Sequence, residues 1–439
     1  MSTKPLQSQE SYSSTEIDKG PFLASMAPAE SIQPNGAGIR LLTFNTWGLK
    51  LVSKHRKARL HAIADKIALD DAYDVIALQE VWCKSDWDYL VERCGSKFPY
   101  NRVFYSGILS GPGLAVLSKL PIESTFLYRF PINGRPSAFF RGDWYVGKSV
   151  AVTILKTASS GSIALLNSHM HAPYALSGDA AYSCHRACQA WDFSQIASLL
   201  QKAGYAVIVV GDLNSRPGSL PHRIFEFEAG LQDSWELLHG RQPLEYPKSL
   251  SPEDQIRLAG ATCDSTLNTW RADRQPTEAC RLDYALVDAR RIIPIGASVE
   301  FTESIPGIGS YSDHFAYSLR FKVDTRSRER PNGFAGDRAA VHADLMQEVQ
   351  TYINTTCKWQ SNWRYWHAAL SILVVIAFHP VIVVVSFIAP WASILFQFFS
   401  ILIALSGVLN GFIALLFGRS EKRALMEVLQ EVEDRQNAQ

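Results

Sequence analysis

Two long apolar runs lie back to back near the C-terminal end of the sequence, and they restrict the possible folds more than any other feature. Residues 368–389 carry only Ser371, His379 and Ser386 as polar breaks, and residues 393–417 hold Gln397 and Asn410 inside a second apolar run. The turn between them, Pro390-Trp391, is short and uncharged. A helix rises about 1.5 Å per residue, so each run is long enough to cross about 30 Å of hydrocarbon. Covering both with protein inside a soluble fold would be hard at a terminus. The pair is therefore read as a transmembrane hairpin. Lys358 and Arg364 precede it, and Arg419, Lys422 and Arg423 follow it. Basic residues stay on the cytosolic side, which places both ends of the hairpin there. Trp359, Trp363, Tyr365 and Trp366 form an aromatic belt at the entry. Two amphipathic stretches flank the spans, one carrying Val341, Leu345, Val349 and Ile353, the other Leu425, Val428, Leu429 and Val432. Both lie on one side of the membrane, and they are expected to pack together.

The rest of the chain reads as an α/β domain. Apolar runs at 40–44, 75–78, 115–117, 163–167 and 206–210 suggest buried strands, and the patterns at 54–69 and 182–203 suggest helices between them. Net charge is +1 with 19% charged residues, which lacks the basic excess of a nucleic-acid binder. Seven cysteines, with no CxxC pair, argue for a reducing compartment rather than a disulfide framework. Cys184 and Cys188, one helical turn apart, are expected to pack rather than bind metal. Residues 1–36 are polar, lack the pattern of a secretory or transit signal, and are read as disordered.

Five short segments set polar residues at the ends of apolar runs. They are Phe44-Asn45-Thr46-Trp47, Leu78-Gln79-Glu80-Val81-Trp82, Asn167-Ser168-His169-Met170-His171, Gly211-Asp212-Leu213-Asn214 and Tyr311-Ser312-Asp313-His314. Singly, each has a structural explanation such as a turn or a helix cap. Together they supply what phosphodiester hydrolysis needs. A hard cation such as Mg²⁺ takes one or two carboxylates and other oxygens, which Glu80 and Asn45 can offer. An attacking water needs a base whose pKa lies near working pH, which suits His314. Charge growing on phosphorus needs donors, which Asn214 and His169 can provide.

This ensemble resembles the endonuclease/exonuclease/phosphatase superfamily, whose DNase I-like fold is a four-layer sandwich of two mixed β-sheets flanked by helices. The resemblance implies a metal site at Asn45 and Glu80 and a phosphate contact at His169. It implies that Asp212 and Asn214 orient water and phosphate, and that Asp313 and His314 form the terminal dyad with His314 as base. In Arg281-Leu282-Asp283-Tyr284, Asp283 resembles the carboxylate that orients that base. Narrower spellings look like the neutral sphingomyelinases and the fungal inositol phosphosphingolipid phospholipases C. These are FNTWGL from Phe44, LQEVW from Leu78, SHMHAPY from Ser168 and HRACQAW from His185. Ser168 stands where that branch often has Thr, and the hydroxyl is kept.

The expected substrate is thus a membrane sphingolipid, with Mg²⁺ as cofactor and anionic phospholipids as activators. A membrane-anchored nuclease or inositol polyphosphate phosphatase is the alternative. The expected organisation is a tail at 1–36, the phosphodiesterase domain at 37–325, and a linker with an amphipathic helix at 326–366. The two spans then occupy 367–418 and a cytosolic helix 419–439. The expected location is the endoplasmic reticulum or the mitochondrial outer membrane, with the large domain in the cytosol.

Residues 142–149 (GDWYVGKS) fit the Walker A spelling, but two bulky aromatics sit in the loop and residues 150–155 read as a strand. No ATP site is expected there. The similar branch has a P-loop-like element with Asp and Lys at this spacing, which marks Asp143 and Lys148 as an inducible pair. The alternative is an exposed ion pair. His171 is shared with that branch alone. The apolar stretch 132–145 beside it reads equally as an interfacial loop or a packed insertion.

Overall fold

The computed structural model describes residues 38–157, 161–243, 245–324 and 335–438, so the stretch 1–36 expected to be disordered lies outside the described residues. Runs such as VIALQ (Val75–Gln79) and AVIVVGD (Ala206–Asp212) are buried along their whole length. A strand that is apolar on both faces needs a layer on each side, and the architecture provides it.

In chain order the strands begin with β1 (Ile39–Asn45), β2 (Val75–Gln79), β3 (Tyr100–Val103), β4 (Ala115–Ser118) and β5 (Ile122–Arg129). Next come β6 (Ser149–Lys156), β7 (Ser162–His169), β8 (Ala206–Asp212), β9 (Gln232–Asp233) and β10 (Asp283–Val287). The last are β11 (Ile292–Glu300), the small pair β12 (Ser304–Ile305) and β13 (Gly309–Ser310), and β14 (Ala316–Val323). One six-stranded sheet runs β11-β14-β1-β2-β4-β3, and the other runs β5-β6-β7-β8-β10-β9. Both are mixed: β1 and β2 pair in parallel, as do β7 and β8, while the neighbouring pairings are antiparallel.

The sheets face each other through a core that includes Leu41, Val75 and Val116 from one and Ile163, Ile208 and Val210 from the other. Helices Arg56–Leu69 and Lys84–Cys94 cover the outer face of the first sheet through Leu60, Ile63, Ile67 and Leu90. Helices Ser183–Lys202 and Leu220–Phe227 cover the second through Trp191, Phe193 and Phe225. The result is the four-layer sandwich of two mixed sheets flanked by helices. Cys184 and Cys188 are buried in this outer core.

The C-terminal helices do more than hold a membrane. Val341, Leu345 and Val349 on helix Ala335–Tyr352 and Leu425, Val428 and Val432 on helix Arg419–Asn437 all join the core over Ser183–Lys202. The two amphipathic stretches meet each other and also complete the domain's own outer layer. Between them run the apolar helices Lys358–Ile388, with Pro380 inside, and Pro390–Phe412. Both are long and apolar enough to cross a membrane, and they are only 6% and 11% buried in their most apolar windows.

Near the ends of β2 and β7, a buried polar bridge crosses between the sheets. Gln79 Nε2 donates to Asn167 Oδ1 at 2.8 Å, and Asn167 Nδ2 donates to the carbonyls of Leu78 and Ala115 at 3.1 and 3.2 Å. Replacing Asn167→Leu keeps similar bulk but removes a buried partner from Gln79 Nε2, which keeps Thr43 Oγ1 at 3.0 Å, and from the Leu78 and Ala115 carbonyls. A buried unpaired polar group costs roughly 1–3 kcal/mol. The thermal midpoint of the variant in detergent is expected to drop clearly; an unchanged midpoint would refute the bridge's structural weight.

Candidate active site

Strand register assembles this site. His169 on β7 lies opposite Asp212 on β8, and Asp212 lies opposite Asp283 on β10. In the other sheet Asn45 ends β1 opposite Gln79, so Glu80 follows at the same edge. His314 stands just before β14, and the Ser312 hydroxyl donates to the Asn45 carbonyl at 2.6 Å, which ties that loop to β1.

The backbone at this edge is strained. Trp47, Glu80, Asn214 and Asp264 have φ of 49°, 62°, 48° and 52° and line one cavity. Non-glycine residues hold the left-handed conformation only where their surroundings enforce it, and such strain gathers at functional sites. Gly48 permits the turn at Glu80, because a Cβ there would meet the Glu80 carbonyl oxygen at 2.0 Å.

The cavity measures about 340 Å³ and is lined by Asn45, Glu80, Asp143, Lys148, His169, Asp212, Asn214, Asp313 and His314. Asp283 and His171 stand behind that lining. Asp283 Oδ2 lies 2.8 Å from His314 Nδ1, and His171 Nε2 lies 3.8 Å from the Asp143 carboxylate. All the residues singled out in the sequence therefore converge, in two layers.

Asp212 is the hub. Its Oδ1 accepts the Asn214 backbone N–H at 2.9 Å, and its Oδ2 accepts Asn45 Nδ2 at 3.0 Å. The same Oδ2 lies 3.5 Å from His169 Nε2 and 3.8 Å from His314 Nε2. Burial, with Asp283 adding repulsion, pushes its carboxyl up to about 6. Glu80 is raised further, to about 7, by burial and then by Asp313. His169 is held well below its usual value by burial and by Lys148, so it is neutral, and its Nδ1 is buried without a partner. His314 is the opposite case. Burial disfavours its charge, but Cys263, Asp283 and Asp212 outweigh that and hold its pKa well above the usual value.

Three side chains differ in detail from expectation. Asp283, expected to orient the base, lies 2.8 Å from His314 Nδ1, whereas Asp313, the other half of the expected terminal dyad, binds Arg271 at 2.6 Å. Asn214 directs its amide nitrogen to the Met170 carbonyl at 3.0 Å. Asn45 directs its amide oxygen to the Trp47 N–H at 3.1 Å and its nitrogen to Glu80 and Asp212. An NH₂ group between two carboxylates is the electrostatically favourable choice when no cation separates them.

Asp143 and Lys148 form a buried ion pair at 3.3 Å rather than an exposed one. Despite burial, Asp143 is held below the usual carboxylate range by His171, Lys148 and the Tyr174 hydroxyl, which donates to it at 2.5 Å. Burial lowers His171 itself to about 3. Lys148-Ser149 opens strand β6, not a helix. Tyr174, Trp82, Cys263 and Arg271 also line the cavity. Tyr174 and Trp82 sit inside quoted motifs; Arg271 lies in a stretch without periodic pattern, and no local signal marks it.

The sequence profile of the Endonuclease/Exonuclease/phosphatase family matches residues 42–314, the span that contains every polar residue of this cavity. The chain belongs to that family. It is 54% identical over 429 residues to a Saccharomyces cerevisiae protein named inositol phosphosphingolipids phospholipase C, covering 90% of each. A Schizosaccharomyces pombe protein of the same name is 36% identical over 412 residues, covering 90% of this chain and 94% of that one. Sphingomyelin phosphodiesterase 2 of Homo sapiens is 33% identical over 197 residues, 45% of this chain and 46% of that one. This family member therefore sits in the branch of the sphingolipid phospholipases C and neutral sphingomyelinases.

The donor set of this family site fits a hard cation. Glu80 is a buried carboxylate whose hydrogen bonds, from Asn45 Nδ2 and Trp82 Nε1, are both long at 3.3 Å and both from neutral groups. Ligand atoms of Asp212, Asp283 and His314 lie within 4.8 Å of one another. A second acidic group, His222, Asp233 and Glu236, is already served by Arg281 at 2.6 Å from Asp233.

The raised pKa of Glu80 fixes a sign. The group stabilises the fold while protonated; that stabilisation is complete below its ordinary value and is lost as pH rises through about 7. In the presence of chelator, Glu80→Gln should therefore melt higher than the native protein at pH 8 and match it near pH 4. A shift of this size is on the order of 2–3 kcal/mol. Added divalent cation should raise the native protein's midpoint at pH 8 and leave the variant's almost unchanged. Equal cation responses would rule out Glu80 as a ligand.

Proposed function

We propose that this chain is a membrane-anchored phospholipase C-type hydrolase that uses Mg²⁺ to cut the headgroup phosphodiester of a sphingolipid, releasing ceramide and a phosphorylated headgroup. The observation that carries this reading is the convergence of Glu80, Asn45, His169, Asp212, Asn214 and His314 on one cavity in a chain that matches its fungal relatives over nearly full length. Those relatives' names bring inositol phosphosphingolipids as the favoured substrate, with sphingomyelin as the other candidate.

Glu80 and Asn45 would hold the cation, through a carboxylate and an amide oxygen. The bound Mg²⁺ supplies Lewis-acid polarisation of the phosphoryl oxygen and neutralises developing charge. His314, fixed by Asp283 through Nδ1, presents Nε2 to the cavity, and its neutral form, reached once a cation offsets the charge of Asp212 and Asp283, takes a proton from the attacking water. Asp212 and Asn214 orient that water and the phosphate. Neutral His169 donates to a phosphate oxygen. Asp143 and Lys148 form a pair whose opening regulates access, with His171 and Tyr174 holding the carboxylate.

The two apolar helices and their basic flanks support a membrane protein with both termini and the large domain on the cytosolic side, at the endoplasmic reticulum or mitochondrial outer surface. Anionic phospholipids at that surface act as activators. A protease added to intact microsomes should digest the large domain; its protection would overturn this topology.

Purified protein in detergent with Mg²⁺ should release ceramide from inositol phosphosphingolipid and leave DNA and soluble inositol phosphates intact. His314→Ala should lose about 10²–10⁴-fold in turnover; because it also removes the buried partner of Asp283, turnover is read well below the variant's own thermal midpoint. Near-native turnover in this variant would exclude the base role. Hydrolysis of DNA at a comparable rate would favour the nuclease alternative.

A further inference from the structure

Large apolar side chains stand exposed on three loops, two of which also supply the cavity residues Arg141 and Tyr174, and belong to no core cluster. Ile108 and Leu109 follow β3, Phe139 and Phe140 lie between β5 and β6, and Leu176 follows β7. Leu176 is 100% exposed, Phe140 99%, Leu109 73%, Ile108 64% and Phe139 63%. Single exposed apolar residues are ordinary, but a contiguous group on one surface marks an interaction site. These five are held together by the loops' own bonds. The backbone N–H groups of Ile108 and Leu109 donate to the Tyr145 carbonyl at 2.9 and 3.2 Å, and the Tyr174 hydroxyl donates to the Arg141 carbonyl at 2.6 Å.

The same loops touch the membrane anchor. The Trp144 ring packs edge-on against Phe417 at 5.2 Å. Residues 131–137 share a small cavity with Cys357, Arg364, Ala414 and Phe417 at the ends of the two apolar helices. Phe417 is the last apolar residue of its run, directly before Gly418 and Arg419. Phe139 and Phe140 are thus only a few residues from a side chain at the boundary between the apolar helix and its basic flank. The occupant of the exposed rim is constrained by that continuity.

We propose that Ile108, Leu109, Phe139, Phe140 and Leu176 form a rim that inserts into the acyl-headgroup boundary of the bilayer holding the anchor, seating the cavity mouth on the membrane. This rests on the reading of the chain as a membrane enzyme of lipids. The rim replaces water by hydrocarbon around the entrance, so a lipid phosphodiester reaches Glu80 and His314 without its ceramide leaving the apolar phase. It also gives the anchor an orienting role: the hairpin supplies proximity, and the rim fixes the tilt at which the cavity opens.

The test uses the full chain reconstituted in phosphatidylcholine vesicles. Phe140→Trp adds one indole at the rim, read as the difference from the native protein's fluorescence when lipids brominated near the headgroup replace ordinary ones. Excess quenching of the added indole is expected; a signal as insensitive as that of an aqueous indole overturns the proposal. The double variant Phe140→Asp with Leu176→Asp should lose at least about tenfold in hydrolysis of long-chain sphingolipid in the vesicle. It should keep native turnover on a short-chain analogue used below its micelle threshold. Equal loss on both substrates, or loss on neither, overturns the proposal. If the native protein hydrolyses neither substrate while Phe140→Trp is still quenched, the rim stands and the enzymatic reading falls.

Discussion

The contact between the buried Gln79 and Asn167 side chains, 2.8 Å apart, is the constraint on which the active edge depends. Two β-sheets that meet through apolar side chains alone can slide, because apolar packing has no direction. A buried amide pair does have direction. Asn167 also binds the carbonyls of Leu78 and Ala115, so β7 of one sheet is pinned to β2 and β4 of the other. Glu80 follows Gln79 by one residue and His169 follows Asn167 by two. The bridge therefore sets the separation between the carboxylate of one sheet and the histidine of the other. Any slip there would leave the polar groups unpaired and separate the site in the same step.

Charge then accumulates where geometry is most rigid. Asp212, Asp283 and Glu80 lie at one edge with His169 neutral and His314 holding its proton between two carboxylates. The raised carboxyl values of Glu80 and Asp212 express one imbalance: too much negative charge out of water, relieved partly by the Asn45 amide. A cation held there would relieve it further. On the other side of the cavity the Asp143 and Lys148 pair is already balanced and is braced by Tyr174. The site thus divides into a half in need of positive charge and a half that is self-compensated.

The anchor is bonded to the domain, not merely tethered. The Trp191 indole donates to Glu431 at 2.6 Å, and His185 lies 3.0 Å from Glu421. Glu228 collects Arg435 at 2.9 Å and His342 at 3.0 Å. These pairs join helix Ser183–Lys202 and its neighbour to the segments on either side of the apolar hairpin. His185 in turn packs against Tyr182, whose ring stacks on His171 at 4.0 Å. The helices that leave the membrane are continuous with the layer that supports the active edge.

Much of this was legible in the sequence. The apolar runs were visible because a membrane span depends on composition over a window, not on partners. The strand ends were visible because buried strands are short and uniformly apolar, which made Asn45, Glu80, His169, Asp212 and His314 stand out as polar residues after them. Motif spelling supplied the family. What only the tertiary structure decided was partnership. Motif resemblance names Asp283 for the His314 ring, but the means of bringing it there, β10 beside β8 in register, and the arrival of Arg271 from a loop to take Asp313 belong to the fold. That the amphipathic stretches complete the outer layer follows from which helix face was left uncovered. Local patterns report what a residue prefers, but contacts between residues far apart in the chain are set by how the sheets stack.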